Sequence, residues 1–455
     1  MRCFFYIFGW TIENKDYNLL EEEQEITMIK IGLISLGCAK NLVDSEIILG
    51  MFNDEEFQIV NSIEESDIII INTCGFIEAS KQESIENILD VLKYHKKVVV
   101  TGCLVERYKE ELIKEIPEVD LFVSLKDYPR FNQLLKGLIN KEVYEFNPFN
   151  RLLATPPFMA YLRISEGCSN CCTYCAIPLI RGPFRSRPLN DLTKEAKLLS
   201  EKGIKELVLI SQDTSRYGSD LENTNIITLL KELLTFKQFV SFRLLYLYPD
   251  EISNELIEFI RDNPRIKPYF DIPFQHASNK ILKAMHRREN KQTYIELINK
   301  IRKEIPNAVI RTTYIVGFPD ESDDDFNELI EFNQLCQFDH MGAFAYSRED
   351  GTFAYKLDNQ IDEKTKKVRL NKIMSLQKKI SYSNNKKHVG EVMDGIITNI
   401  DKINNIYYLR SYWNAPDDID GNITFKANKE HKIGDEIRVK ITSAFVYDLY
   451  GEEVS

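Results

Sequence analysis

Nine cysteines occur in the 455-residue chain, and seven of them stand in two groups that could hold metal. The stretch SEGCSNCCTYCAIP, residues 165–178, packs Cys168, Cys171, Cys172 and Cys175 into eight positions. Four thiolates can close a metal site, whereas three leave one metal atom open for chemistry. Two triplets can be drawn from the stretch, Cys168–Cys172–Cys175 (C-x3-C-x2-C) and Cys168–Cys171–Cys175 (C-x2-C-x3-C). A closed site of all four is strained, because adjacent Cys171 and Cys172 point apart in most backbone conformations. A zinc site lacks a second C-x2-C pair at finger spacing and a nearby histidine.

The second group is dispersed. Cys38 follows IGLISLG, Cys74 follows DIIIINT and Cys103 follows KVVVTG. Each stands one or two residues past an expected parallel strand, the edge where open α/β sheets hold ligands. Cysteines about 30 residues apart in sequence would then meet in space. One such cysteine alone reads as an independent buried thiol, whereas three at equivalent strand ends favour shared ligation. Gly37, Gly75 and Gly102 adjoin the cysteines and would let backbone approach a bulky group. Cys3 and Cys336 have no motif partner and read as ordinary thiols.

The elements that must position these residues are legible in the apolar pattern. From Met28 to about residue 140, short apolar runs alternate with segments of helical period, which predicts a parallel sheet covered on both faces. Residues 140–157, rich in Asn and Pro, read as a linker. A second series then offers six strands: FMAYLRIS, ELVLISQ, SFRLLYLY, PYFDIPF, AVIRTTYIVG and FDHMGAFAYS. Six strands suit a partial α/β barrel. A charged helix over 362–387 follows, with enough Leu, Ile and Met to pack one face. Short β runs separated by Gly, Asn and Asp then predict a small antiparallel barrel. The expected divisions are 28–144, 154–386 and 387–455, with residues 1–27 an extension that need not be native.

Charge and length narrow the function. Asp and Glu number 70 against 58 Lys and Arg, a net charge of −12, which argues against broad nucleic-acid binding. No stretch reaches the roughly 18 apolar residues of a membrane span. No convincing secretory signal precedes the cysteines, so a cytoplasmic location is expected and clustered cysteines point to metal or redox work.

Tyr174 stands immediately before the last cysteine of the C-x3-C-x2-C triplet. This motif, in the loop after the first strand of a partial barrel, resembles the radical S-adenosylmethionine (SAM) enzymes. The resemblance implies that Cys168, Cys172 and Cys175 hold a 4Fe–4S cluster whose open iron binds SAM, and that Cys171 is spare. One electron from that cluster would release a 5′-deoxyadenosyl radical, which abstracts hydrogen from an unactivated carbon. Two groups of three cysteines followed by a small barrel resemble, more narrowly, the methylthiotransferases, over essentially Met28 to Ser455. On that likeness Cys38, Cys74 and Cys103 hold a second 4Fe–4S cluster that carries the sulfur, and two SAM are used per turnover. The implied fold is a flavodoxin-like α/β domain, a partial (β/α)6 TIM-like radical SAM barrel and a TRAM β-barrel.

SQDTSRYG, DIPFQHASNKILKAMHRR and AYSREDGTFAYKL look like the branch that modifies the β-carbon of an aspartate of ribosomal protein uS12. The tRNA-adenosine branch typically has an Asn-Val-Asn run where Asp213-Thr214-Ser215 stands. Residues 388–455 hold 12 acidic and 7 basic side chains, a face suited to a basic protein and ill suited to a phosphate backbone. A tRNA partner is therefore disfavoured, although methylthiolation of tRNA adenosine is the alternative, and a non-catalytic iron–sulfur electron carrier the alternative from another class. The activity would also need a reduced electron donor and a sulfur source.

Other residues carry weaker expectations. Tyr174 could offer its backbone to the adenine, and Gly317, before Pro319, could let a strand approach SAM, although Asp320 stands where the family often has glycine. Gln212, Asp213, Gln275 and His276 are expected at strand ends facing the active site, to bind substrate or SAM, or simply to hydrogen-bond their loops. Arg181, Arg185 and Arg187 form a basic run that could neutralise a cluster or carboxylate or stand in solvent. Tyr407, Tyr408, Tyr412 and Trp413 could anchor a partner or fill the small barrel.

Overall fold

A computed structural model describes residues 4–6 and 28–454, except 54, 417 and 418. Cys3 and nearly all of the 1–27 extension lie outside the described residues. The chain divides into two compact units: Met1–Ala154 with Ala176–Pro183, and Thr155–Cys175 with Phe184–Ser455.

The first unit is built on a sheet of β1 (Phe4–Tyr6), β2 (Ile29–Leu36), β3 (Phe57–Ile59), β4 (Ile68–Thr73), β5 (Lys97–Gly102) and β6 (Leu121–Val123). The order is β1-β2-β4-β5-β6, with β3 also on β2; only β1 is antiparallel. The sequence pattern did not anticipate β3, which has three residues and an exposed centre at Gln58. Successive strand residues point to opposite faces. Ile31, Leu33, Ile68, Ile70 and Val99 enter one core, while Ile34, Ile69, Ile71, Val98 and Val100 enter the other. Continuous apolar strands are therefore needed, and α1 (Ala39–Leu49), α2 (Glu78–Leu92), α3 (Cys103–Glu115) and α4 (Phe131–Ile139) cover the faces. Each such side chain contributes about 1.5–3 kcal/mol on burial.

Every residue of α1 is buried, including Lys40, Asn41, Asp44, Ser45 and Glu46. The polar ones have specific partners. Arg151 pairs with Glu46, whose other oxygen accepts from the Ala154 N–H at 2.9 Å. Arg181, at the end of the short α5 (Ile177–Arg181), pairs with Asp44 at 2.8 Å.

In the second unit, the six expected strands are β7 (Met159–Arg163), β10 (Glu206–Ile210), β11 (Ser241–Leu244), β12 (Tyr269–Asp271), β13 (Val309–Val316) and β14 (His340–Ala345). All pair in parallel, but as two three-stranded ladders, β11-β10-β7 and β12-β13-β14. Between β11 and β12 only the Phe242–Ile266 bridge and scattered backbone bonds remain, such as Leu247 N–H to Asp271 O at 2.8 Å. A short hairpin of β8 (Ser165–Glu166) and β9 (Arg185–Ser186) flanks the cysteine stretch. Helices α6 (Leu189–Glu201), α7 (Ile226–Leu233), α8 (Asn254–Asp262), α9 (Asn279–Ala284), α10 (Lys291–Glu304) and α11 (Asp323–Cys336) separate the strands.

The charged helix is α12 (Glu363–Lys387), but its buried face corrects the expected apolar stripe. It consists mainly of Lys366, Arg369, Gln377 and Asn384, with Ile373 and Ile380. These polar groups serve as caps: Gln377 Nε2 donates to the Phe338 carbonyl at 2.9 Å, and Asn384 to Gln337 at 3.2 Å, just past the end of α11. Five strands, β15 (Val392–Asp401), β16 (Ile406–Ser411), β17 (Ile423–Lys426), β18 (Glu436–Ala444) and β19 (Leu449–Glu453), then close a barrel.

That barrel is fastened to the amino ends of the parallel strands. Glu206, the first residue of β10, accepts from Arg243 Nε at 2.8 Å and meets Arg410 of β16 at 2.7 Å; all three are buried. Arg243 also bonds the Ser411 carbonyl, and Tyr269 and Arg311 bond Asp420. Burial alone would raise the Glu206 carboxyl from its usual 4.5, but Arg410 and Arg243 pull it down to about 2. The folded value lies below the unfolded one. The stabilisation is therefore complete above about pH 4.5 and is lost as pH falls towards 2, an amount on the order of 3 kcal/mol. Glu206→Gln should lower the unfolding temperature at pH 7, because two buried guanidiniums lose their counter-charge. Calorimetry should find the gap between variant and parent narrowing at pH 3; an equal gap at both values would refute the assignment.

Candidate metal centres

Cys38, Cys74 and Cys103 stand where the strand pattern put them: two residues past β2, one past β4 and one past β5. Cys38 caps α1 and Cys103 begins α3. A layer of polar side chains fixes these three strand ends. Asn41 donates to the carbonyls of Leu36 and Thr73, each at 3.0 Å. Asn72 donates to Asn41 O at 2.8 Å, and Ser84 to Cys74 O at 2.9 Å. Gly37 has φ +96, and a Cβ there would lie 3.0 Å from the Cys74 sulfur, so only glycine lets the first and second strand ends meet. Gly75 and Gly102 differ from expectation: what crowds them is the chain's own backbone at Leu104 and Thr73.

The sulfurs of this triad sense one another. Burial first, then Cys103 and Cys38, push the Cys74 thiol up to about 12. Burial likewise raises Cys103, against the Arg181 guanidinium beside it. Three anionic sulfurs cannot coexist in so dry a place without a cation, and metal binding is what releases such protons. The donor set thus fits a thiolate-ligated cluster. Among the described residues no three His, Cys, Asp or Glu side chains stand close enough to share a single metal ion.

In the second unit, Cys168, Cys172 and Cys175 lie in the loop after β8. Burial first, then Asp213 and Cys172, raise Cys168 to about 11. Cys172 lies 4.0 Å from the Tyr248 hydroxyl. Cys171 differs: it is exposed, has φ +55, and its thiol meets the Ser169 carbonyl at 3.5 Å. The left-handed backbone at Cys171 turns its side chain out of the row.

The loop is pinned by residues that spacing did not reveal. Asn170 donates to Asp213 at 2.8 Å and accepts from Arg216 and Arg288, each at 3.2 Å. Thr173 donates to Met285 O at 3.1 Å and to Ala284 O at 2.8 Å. The Arg287 guanidinium lies 3.9 Å from the centre of the Tyr248 ring, next to Cys172. Arg287 and Arg288 end the stretch DIPFQHASNKILKAMHRR, whose spacing carries no sign of this role.

The remaining sequence candidates divide. Gln212 keeps both amide atoms buried with no hydrogen-bond partner among the described residues, as a group awaiting a polar ligand would. Asp213 is buried in the Asn170–Ser215 network, and burial raises its carboxyl, so it holds the loop. Gln275, at φ +70, bridges to β13 through its backbone. His276 lies inside the fold. It is fully buried, its Nδ1 accepts from Ser278 N–H at 3.0 Å, and its Nε2 lies 3.5 Å from Glu321. At Gly317, φ +73, a Cβ would strike Lys366 Cγ at 2.3 Å, so the glycine makes room for α12. The Tyr174 ring packs with Ile281, Met285 and Phe318.

The arginine run disperses. Arg181 pairs with Asp44 in the first unit, whereas Arg187 pairs with Glu195 at 2.6 Å in the second. Tyr407 and Trp413 are interior, and Tyr412 donates to Glu391 at 2.7 Å. Phe445 and Tyr447 are instead the exposed aromatics of the small barrel. A cavity of about 620 Å³, lined by Glu206, Arg243 and Arg410, lies at the strands' amino ends, away from the cysteine loop.

Comparison with known proteins agrees with this arrangement. Residues 30–124 match the uncharacterized protein family UPF0004, residues 162–332 the radical SAM superfamily and residues 389–454 the TRAM domain. The chain is 47% identical over 433 residues to the ribosomal protein uS12 methylthiotransferase RimO of Alkaliphilus oremlandii (strain OhILAs), covering 93% of this chain and 99% of that one. It is 45% identical over 440 residues to the protein of that name from Clostridioides difficile (strain 630), covering 93% and 99%. Among solved structures, the fold resembles the radical S-adenosylmethionine methyltransferase TsrM from Kitasatospora setae with cobalamin and a 4Fe–4S cluster bound. The TM-score is 0.51 at 10% identity, over 81% of each chain. Likeness this extensive to the curated relatives means that the chain is a transferase of the RimO family of radical SAM methylthiotransferases.

Proposed function

We propose that this enzyme adds a methylthio group to the β-carbon of an aspartate of ribosomal protein uS12, in the cytoplasm. The observation that carries the reading is the near end-to-end likeness to proteins named for that substrate, joined to two cysteine triads, one at strand ends and one in a loop. The likeness to the methylthiotransferases supports two 4Fe–4S clusters and two SAM per turnover, with Cys38, Cys74 and Cys103 for one cluster and Cys168, Cys172 and Cys175 for the other. Bound there, the clusters and SAM would supply the radical and the sulfur. The same basis supports a cluster domain over 28–144, a radical SAM core over 154–386 and a TRAM barrel over 387–455.

The chain's own residues have definable tasks. Asn170, held by Asp213, Arg216 and Arg288, keeps the cysteine loop in one shape. Pre-organisation of this kind lets thiolates bind without further ordering. Tyr248 stands against Cys172, and Arg287 stacks on the Tyr248 ring, which narrows the access of water to that sulfur. The unpartnered Gln212 amide is suited to a polar group of SAM or of the substrate. The acidic small barrel favours a basic protein over RNA.

Anaerobic reconstitution of the full chain with iron and sulfide should give two clusters' worth of iron. Changing either triad to alanine should halve it, whereas Cys171→Ser should leave it intact; retention of full iron in Cys172→Ala would defeat the ligand assignment. With SAM, reductant and a sulfur source, mass spectrometry should find the methylthio gain on a uS12 peptide, and gain on tRNA alone would overturn the substrate. In apo-protein, iodoacetamide should label exposed Cys171 well before buried Cys74 and Cys103, as read by peptide mapping.

A further inference from the structure

Residues 176–183 follow directly on Cys175, yet they belong to the first unit. Ala176 and Ile180 pack against Cys103 in a small apolar cluster. Arg181, from the same turn, sends Nη2 to Asn41 Oδ1 at 2.7 Å, to Asp44 Oδ2 at 2.8 Å and to within 3.7 Å of the Cys103 sulfur. The Arg181 and Asp44 side chains are 4% and 2% exposed. A buried cation and anion thus adjoin one sulfur of the Cys38–Cys74–Cys103 triad.

We infer that Arg181 and Asp44 are a compensated charge pair that sets the reduction potential of the cluster held by this triad. The inference rests on the proposed ligation of a cluster by Cys38, Cys74 and Cys103. The physical basis is general. Iron–sulfur potentials follow net charge, hydrogen bonding to sulfur and solvent exposure, and groups just outside the ligands tune metal sites. Here water is excluded, so charges act over several ångströms with little screening. Reduction adds one electron and forms no bond at either residue. A lost cation disfavours that electron, and a lost anion favours it. The two members therefore act with opposite sign, which a purely structural salt bridge would not do. Arg181 and Asp44 are positioning and tuning residues and need touch no substrate.

The test uses the full chain carrying Cys168→Ala, Cys172→Ala and Cys175→Ala, so that a single cluster remains. Its potential is read by electron paramagnetic resonance during titration with a dithionite or titanium(III) reductant. Arg181→Gln should shift the potential down, Asp44→Asn should shift it up, and the double variant should return towards the parent. Arg181→Lys, which keeps the charge, should move it least. The double variant removes both buried charges together, so it keeps the comparison available if a single variant folds poorly. Equal potentials across variants of full iron content would overturn the inference, as would shifts of the same sign. If the triple-alanine parent binds no iron, the failing statement is instead the cluster assignment to Cys38, Cys74 and Cys103.

Discussion

Three sulfurs at the carboxyl ends of neighbouring parallel strands cannot all be anions unless a cation stands among them. That constraint organises the first unit. The strands must be apolar on both faces to bury the sheet, which leaves their last residues as the place where polar chemistry is permitted. Asn41, Asn72, Thr73 and Ser84 occupy that border and tie the three ends to one another. The thiols are therefore positioned by the same bonds that terminate the strands. Burial raises the affinity of Cys74 and Cys103 for protons, so bare thiolates are disfavoured at these strand ends.

The second unit meets the same requirement differently. Its cysteines are close in sequence, and a loop by itself would hold them loosely. Rigidity comes from Asn170, whose amide is shared among Asp213, Arg216 and Arg288, and from the Thr173 bonds to the end of α9. The small barrel is fixed at the opposite ends of the strands through Glu206 and Asp420, each buried among cations. Buried carboxylates of this kind contribute little net stability over apolar packing, but they are costly to break and specify one docking geometry.

Several motifs also take partners within the fold. His276 and Gly317 stand at strand ends, as their neighbours suggested, yet His276 meets Glu321 and Gly317 makes room for Lys366. A glycine at a functional loop can serve the fold alone. Arg181, Arg185 and Arg187 read as one basic run, and the fold sends Arg181 to a buried aspartate while Arg187 takes Glu195.

Periodicity and residue type were enough to establish the alternating α/β series, the six barrel strands, the closing β-barrel and the two groups of cysteines, although only family resemblance separated Cys171 from its neighbours. These depend on local pattern: apolar runs must be buried, and a thiol one residue past a strand must lie on the ligand edge. What α12 buries, which residues clamp the cysteine loop and whether Trp413 faces in or out were settled only by tertiary structure. Each depends on partners distant in sequence, such as Glu206 with Arg410 or Cys103 with Arg181. A buried polar side chain is stable only where its counterpart arrives, and no local pattern encodes that arrival.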